Sequence, residues 1–201
     1  MQVLKTKLSR PSVQNGRAMQ RPQLLSQMVE HCQSSLIFIH AAAGYGKTTL
    51  MHQLSESLLA KGKKVCWLTL DDDENDPIRL YQYLRLALLD LEPPHSISYG
   101  QIHKQHIIEL TQKVAEEDAD TVLFIDEFEA LTNPECLNIF WWLYQSLPEN
   151  CHLVIASRVK PNWSFAKRIS IRSFKVGHRV SAEYQTARKQ CAYSVFTTTK
   201  L

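Results

Sequence analysis

Ala41-Ala42-Ala43-Gly44-Tyr45-Gly46-Lys47-Thr48-Thr49 is the stretch whose reading decides the fold. In front of it lies an apolar run, Ser35-Leu36-Ile37-Phe38-Ile39-His40, and behind it a helix-like segment from Leu50 to Ala60. A buried strand, a glycine-bearing turn and a helix start are the parts of a phosphate-binding loop. Glycines let the backbone turn tightly, so that successive N–H groups converge on one hollow. The first helical turn adds unpaired N–H donors and the positive end of the helix dipole, about half a charge. In such a loop Lys47 reaches the β- and γ-phosphates of a nucleotide and the Thr48 hydroxyl ligates Mg²⁺, while Ala43, Gly44, Tyr45, Gly46 and Thr49 wall the hollow. The glycine that usually opens the pattern is Ala41 here. The plainer reading, a small-residue turn with a solvent-facing lysine, leaves unexplained why strand and helix fall where the loop needs them.

Downstream, Lys64-Val65-Cys66-Trp67-Leu68-Thr69-Leu70 reads as a second strand, followed by the acidic cluster Asp71-Asp72-Asp73-Glu74-Asn75-Asp76. The cluster is read as helix capping plus a solvated acidic edge, in preference to a metal or partner site. Pro77 suits the first turn of a helix capped by Asp76 and running to about Leu91, with Leu80, Tyr83, Leu84, Ala87 and Leu88 at helical spacing. A further helix is expected over roughly Tyr99 to Glu117. Thr121-Val122-Leu123-Phe124-Ile125 is a third strand that ends in Asp126-Glu127. An acid at the end of a buried strand beside a phosphate loop holds Mg²⁺, which assigns Asp126 to the metal. Glu127 is then placed to act as general base or to orient the attacking water. Taken alone, an apolar run ending in Asp-Glu is equally a strand leading into an acid-capped helix.

Asn133-Pro134 starts another helix, to about Leu147, and His152 to Ala156 forms a fourth strand ending in Ser157-Arg158. A short amphipathic helix from Arg21 to about His31 precedes the first strand. This alternation predicts an α/β fold, a three-layer sandwich with a parallel sheet and helices on both faces. A strand and two helices separate the loop helix from the Asp126 strand, as in the additional-strand division of P-loop NTPases. There the polar end of the next strand, here Ser157-Arg158, senses the γ-phosphate. The expected organisation is an N-terminal segment over residues 1–34 that folds over the nucleotide, a P-loop NTPase domain over 35–180, and an irregular basic tail over 181–201.

The 201 residues suffice for one α/β domain with a sizeable core. No apolar run reaches the roughly 20 residues a membrane helix needs, and the N-terminus carries no hydrophobic signal core, so a cytoplasmic location is expected. The net charge of +3 conceals an asymmetry: residues 1–158 hold 14 Lys/Arg against 19 Asp/Glu, and residues 159–201 hold nine against Glu183 alone. The basic end has no helix pair, zinc spacing or aromatic platform, so no direct DNA binding is expected from it. The five cysteines, Cys32, Cys66, Cys136, Cys151 and Cys191, are scattered and read as reduced structural thiols. His103 and His106, three apart on an expected helix, read as solvated helix histidines in preference to metal ligands.

With these residues placed, the chain resembles the N-terminal ATPase module of the large ATP-binding LuxR-type (maltose-regulon-activator-like) transcription regulators, of the STAND class of signalling ATPases. The resemblance runs over roughly residues 5–175. It is carried by Lys7-Leu8 and Pro11, Arg21 with Leu24-Leu25, the loop Ala43 to Thr49, Trp67-Leu68-Thr69-Leu70-Asp71, and Asn75-Asp76-Pro77 on to Tyr83-Leu84 and Ala87-Leu88. Asn133-Pro134, Leu147-Pro148 and the strand from Leu153 to Arg158 complete it. The block from Trp67 to Leu88 is its most distinctive piece. Glu74 and Glu127 each stand where the family usually has Asp. The family continues into a winged helix, a helical sensor and a DNA-binding helix-turn-helix. This chain ends at Leu201 with a tail that departs from the family after about Arg179, so a truncated or frameshifted product, or an isolated module, is expected.

The resemblance implies ATP/ADP and Mg²⁺ as cofactors, slow hydrolysis, and a switch coupled to inducer sensing and oligomerisation. It implies that Arg21 and its neighbours approach adenine and ribose and that Arg158 reads the phosphates. The expected partners are the nucleotide and, through module surfaces, further copies or full-length relatives. A freestanding P-loop ATPase or kinase of another family and a non-catalytic interaction fragment remain the alternatives.

Overall fold

The strand before the glycine loop, β1 (Leu36–His40), organises the sheet. A computed structural model of the chain describes residues 4–12, 20–30, 36–91, 101–159, 172–175 and 195–197. Around β1 stand β2 (Lys64–Thr69), β3 (Thr121–Asp126), β4 (Cys151–Ser157), β5 (Arg172–Lys175) and β6 (Val195–Thr197) in the spatial order β2-β3-β4-β1-β5-β6. All neighbours are parallel except β6, which runs antiparallel on β5. β4 therefore lies between the glycine-loop strand and the Asp126 strand, which is the additional-strand arrangement.

Parallel pairing brings the carboxyl ends of the strands to one side. His40 pairs with Ser157 and Thr69 with Asp126, so the loop after β1, the acid ending β3 and Ser157-Arg158 share one end of the sheet. Ligand sites in open α/β sheets form at this end.

The helices are α1 (Pro22–Glu30), α2 (Lys47–Leu59), α3 (Pro77–Leu89), α4 (Lys104–Ala115) and α5 (Pro134–Ser146). Side chains alternate along each strand, and two cores result. Ile37, Ile39, Trp67, Val122, Phe124, Val154 and Ala156 pack against Leu24 and Met28 of α1 and Leu50, Leu54 and Leu58 of α2. Leu36, Phe38, Leu68, Leu123, Ile125, Leu153 and Ile155 pack against α3, α4 and α5. Trp67 and Phe124 stack with ring centres 5.3 Å apart. The sheet is thus covered on both faces, which explains why its central strands read as nearly unbroken apolar runs.

Local chemistry sets the helix starts. Asp76 Oδ1 accepts from the Arg79 N–H at 2.8 Å and Asn133 Oδ1 from the Glu135 N–H at 2.9 Å, each followed by proline at the first helical position. α4 is shorter than the expected Tyr99–Glu117; Tyr99 and Gly100 lie outside the described residues. His103 has extended backbone and its N–H donates to His106 Nδ1 at 3.1 Å, so the two histidines close the helix start. α2 starts earlier than expected, at Lys47, so the lysine and both threonines of the loop form its first turn.

The sequence offered no signal for β5 and β6. Within the stretch expected to be irregular, Val195–Thr197 instead pairs with β5 in the register Arg172–Thr197, Ser173–Phe196 and Phe174–Val195. Elements of four and three residues are too short to carry a periodicity. Cys66, Cys136 and Cys151 are buried free thiols, pushed up to about 11, 12 and 12 by burial; Cys32 and Cys191 lie outside the described residues. Among the described residues no helix is long and apolar enough to cross a membrane.

Candidate nucleotide site

The loop has the backbone that its glycines permit. Gly44 has φ 78° and Gly46, the residue capping α2, has φ 81°, both in the left-handed region. A Cβ at Gly44 would meet nothing within 4 Å and one at Gly46 only Thr49 at 3.9 Å, so conformation and not space demands glycine here. Ala41 is absent from the positive-φ residues, is 2% exposed, and its N–H donates to the Ser157 carbonyl at 3.3 Å. Alanine therefore serves at the position where the pattern usually has its first glycine.

Leu50 N–H makes the first α2 bond back to the loop, to the Gly46 carbonyl at 2.9 Å. Among the described residues the backbone N–H groups of Ala43, Gly44, Gly46, Lys47, Thr48 and Thr49 find no acceptor, which leaves a row of donors for an anion. Lys47 is 5% exposed, and its Nζ donates to the carbonyls of Ala41 at 3.0 Å and Ala42 at 3.4 Å. The ammonium thus rests against the mouth of its own loop. Arg21 Nη2 reaches the Tyr45 carbonyl at 3.5 Å, which sets α1 beside the loop.

Thr48 Oγ1 donates to Asp126 Oδ2 at 2.6 Å. The pair joins the first turn of α2 to the end of β3. Asp126 is 2% exposed, and its other oxygen accepts from the Glu127 N–H at 2.9 Å. A buried carboxylate touching a hydroxyl, beside a row of N–H donors and a lysine, is a donor set that fits Mg²⁺ and phosphate. Among the described residues no cluster of three or more His, Cys, Asp or Glu is arranged to hold a metal by protein ligands alone. An ion held here would take Thr48 and Asp126 oxygens and complete its shell with oxygens from outside the protein.

Next to them stands an ionic cluster. Glu127 takes φ 56°, a left-handed conformation rare outside glycine, and opens the 3-10 turn Phe128–Ala130. Its carboxylate pairs with Arg158 Nη2 at 2.7 Å. Glu129 holds the same arginine twice, at Nε at 2.9 Å and at its backbone N–H at 3.0 Å. Burial, then the hydrogen bond to Glu129, pushes the Glu127 carboxyl above its ordinary range, with Arg158 pulling the other way. For Glu129 burial is outweighed by hydrogen bonds from its own and the Arg158 amides and from Glu127 and Ser157, and its carboxyl sits below the ordinary range. The bond to Glu127 raises the Arg158 guanidinium.

The residues singled out in the sequence therefore meet at one end of the sheet: the loop with Lys47 and Thr48, Asp126, Glu127 and Arg158, with Arg21 against Tyr45. Glu129 escaped the sequence reading, because an acid two residues beyond Glu127 carries no signal until Arg158 is brought to it by β3–β4 pairing. The acidic loop after β2 divides its work. Asp71 caps the 3-10 turn Asp72–Asn75, while Glu74 is fully buried and bound to Lys7 Nζ at 2.8 Å.

Comparison with known proteins agrees with this geometry. The family described as AAA domain matches residues 30–157. The serine/threonine-protein kinase PknK of Mycobacterium tuberculosis is 26% identical over 156 residues, which cover 74% of this chain and 14% of that protein. The HTH-type transcriptional regulator MalT of Serratia proteamaculans is 28% identical over 168 residues, covering 79% of this chain and 18% of that one. The chain thus spans less than a fifth of either relative. A chain in the structure of Drosophila ORC bound to DNA superposes with TM-score 0.54 at 11% identity, covering 80% of this chain and 91% of that one, a likeness of fold. The chain is a P-loop ATPase module related to MalT-like regulators, and it belongs to the AAA domain family.

Proposed function

We propose that the chain is an ATP-binding switch module of the STAND type, alternating between ATP- and ADP-bound forms and hydrolysing ATP slowly. The observation that carries the reading is the Thr48–Asp126 hydrogen bond of 2.6 Å beside the N–H groups of Ala43, Gly44, Gly46, Lys47, Thr48 and Thr49, which find no acceptor among the described residues. When bound, Mg²⁺ neutralises charge on the phosphate oxygens. In this reading Thr48 and Asp126 hold the ion, and Lys47 exchanges the Ala41 and Ala42 carbonyls for the β- and γ-phosphates. The N–H groups from Ala43 to Thr49 bind phosphate oxygens, and Arg21 lies toward adenine and ribose. Glu127 orients the attacking water and takes up its proton. Arg158 leaves Glu127 and Glu129 to read the γ-phosphate. The N-terminal segment closes over the nucleotide, and further copies or full-length relatives are the partners of the switch.

Titration of the chain with ATP in the presence of Mg²⁺, beside Lys47→Ala, tests this reading. Loss of a charge-assisted bond to phosphate, worth roughly 2 kcal/mol or more, should weaken binding by at least about thirtyfold. Equal affinity in the two proteins would sink it.

A further inference from the structure

The acidic stretch after β2 is the motif that the nucleotide site leaves unused, and it contains a residue with four long-range hydrogen bonds. Asn75 Nδ2 donates to the Ala130 carbonyl at 2.7 Å. Asn75 Oδ1 accepts from the N–H groups of Thr132 at 2.8 Å and Asn133 at 3.0 Å. The Asn75 carbonyl accepts from Asn133 Nδ2 at 2.8 Å. All four bonds grip the segment Ala130–Asn133, which carries the chain from the Phe128–Ala130 turn into α5.

That turn is the one that begins at Glu127 and contains Glu129. A non-glycine residue in the left-handed region persists only where its surroundings over-determine it. On the upstream side Asp126 Oδ1 holds the Glu127 N–H. On the downstream side the hold comes from Asn75. A carboxamide suits the position because one group both donates and accepts, whereas a carboxylate of the same size only accepts. None of the four bonds goes to the phosphate loop, so Asn75 is able to affect the acidic turn without taking part in nucleotide binding.

We propose that Asn75 is a positioning residue: by fixing the exit of the acidic turn it sets where Glu127 stands relative to Thr48 and Asp126. The inference rests on the reading of Glu127 as the group that orients water. It predicts that loss of Asn75 damages turnover and spares affinity.

The test compares the full chain with Asn75→Ala, Asn75→Asp and Asn150→Ala. Asn150 is the matched control, since its Nδ2 likewise donates to three carbonyls, of Val114, Glu117 and Ala119, at the opposite end of the sheet. Three quantities are read: amide exchange of residues 127–133 without nucleotide, affinity for a fluorescent ATP analogue with Mg²⁺, and single-turnover hydrolysis with protein in excess. In Asn75→Ala exchange in the turn should quicken by about tenfold or more, with the amides of β1 and α2 unchanged. Hydrolysis should slow by about tenfold while the analogue's Kd stays within about threefold. Asn75→Asp keeps the two bonds that the side-chain oxygen accepts and should recover part of both effects. Asn150→Ala should leave the turn's exchange and its hydrolysis as in the parent chain.

Unchanged exchange in the turn of Asn75→Ala overturns the proposal, as does an equal loss of hydrolysis in Asn150→Ala or an affinity that falls in step with hydrolysis. A parent chain that binds no ATP overturns the functional reading and the inference with it; intact ATP binding with unchanged exchange overturns the inference alone.

Discussion

Two carboxylate–cation clusters stand at the same end of the sheet, and each joins segments far apart in sequence. Lys7 ties the N-terminal segment to the loop after β2, at 2.8 Å from Glu74 and 2.6 Å from Asp71. Arg158 ties the end of β4 to the turn after β3 through Glu127 and Glu129. The chemistry is alike and the burial is not. The side chains of Lys7 and Glu74 are 9% and 0% exposed, whereas that of Arg158 is 50% exposed. A buried pair cannot open without stranding a charge in the protein interior, and an exposed one opens into water. The first cluster therefore serves as a clamp, and the second is the more exposed of the two, as the proposed switch requires of an arginine that changes partner.

The largest effect expected from breaking this comparison is on the clamp. Lys7→Met should lower stability by about 3 kcal/mol, because the buried Glu74 then keeps only the Arg79 Nε at 3.6 Å and the Asp71 N–H at 3.0 Å. For a chain of this size that moves the thermal midpoint by roughly 6–12 °C. Lys7→Met combined with Glu74→Gln should recover most of the loss, since no charge is then stranded. Thermal denaturation of the three proteins checks it, and a double variant as unstable as the single one would show that packing of the Lys5–Leu8 turn matters and the charge pairing does not.

Arg158→Ala should give the opposite pattern. Its midpoint should stay within about 3 °C of the parent, as for other exposed pairs. The preference for ATP over ADP should fall by about five- to tenfold, the range of a modest coupling between a ligand and a switching element. Affinities for both nucleotides, measured side by side, decide the matter. An unchanged ratio would mean that Arg158 stays with Glu127 and Glu129 whatever is bound.

The contrast also explains what was legible in the sequence. The phosphate loop, the ends of β3 and β4 and both helix caps at Asp76 and Asn133 are local patterns, and they stand where their spacing indicated. Asp126 was readable because an apolar run aims whatever ends it. The Lys7–Glu74 clamp, the Glu129 grip on Arg158 and the Asn75 hub were not readable. Each joins residues that are neighbours only in the folded chain, 67 positions apart for Lys7 and Glu74 and 57 for Asn75 and Thr132. Glu74 and Asn75 lie in a stretch that looks solvated by composition, and only the fold distinguishes the buried acid from its exposed neighbours. β5 and β6 stayed hidden because three or four residues hold too little pattern to separate from coil.

The smallest effect sharpens the comparison from within the N-terminal segment. Three residues beyond Lys7, Arg10 pairs with Glu56 of α2 and reaches the Ser55 hydroxyl at 3.4 Å, with side chains of Arg10 and Glu56 35% and 54% exposed. If burial ranks these ties, Arg10→Ala should move the thermal midpoint by no more than about 3 °C, and that shift should shrink in about 0.5 M salt, where exposed charges are screened over a few ångströms. The Lys7→Met loss should persist in the same salt, because Glu74 lies beyond the reach of the ions. Should Arg10→Ala match Lys7→Met in size and in its indifference to salt, the two residues would be holding down one segment that comes away as a unit, and burial would no longer be what separates a clamp from a contact that opens.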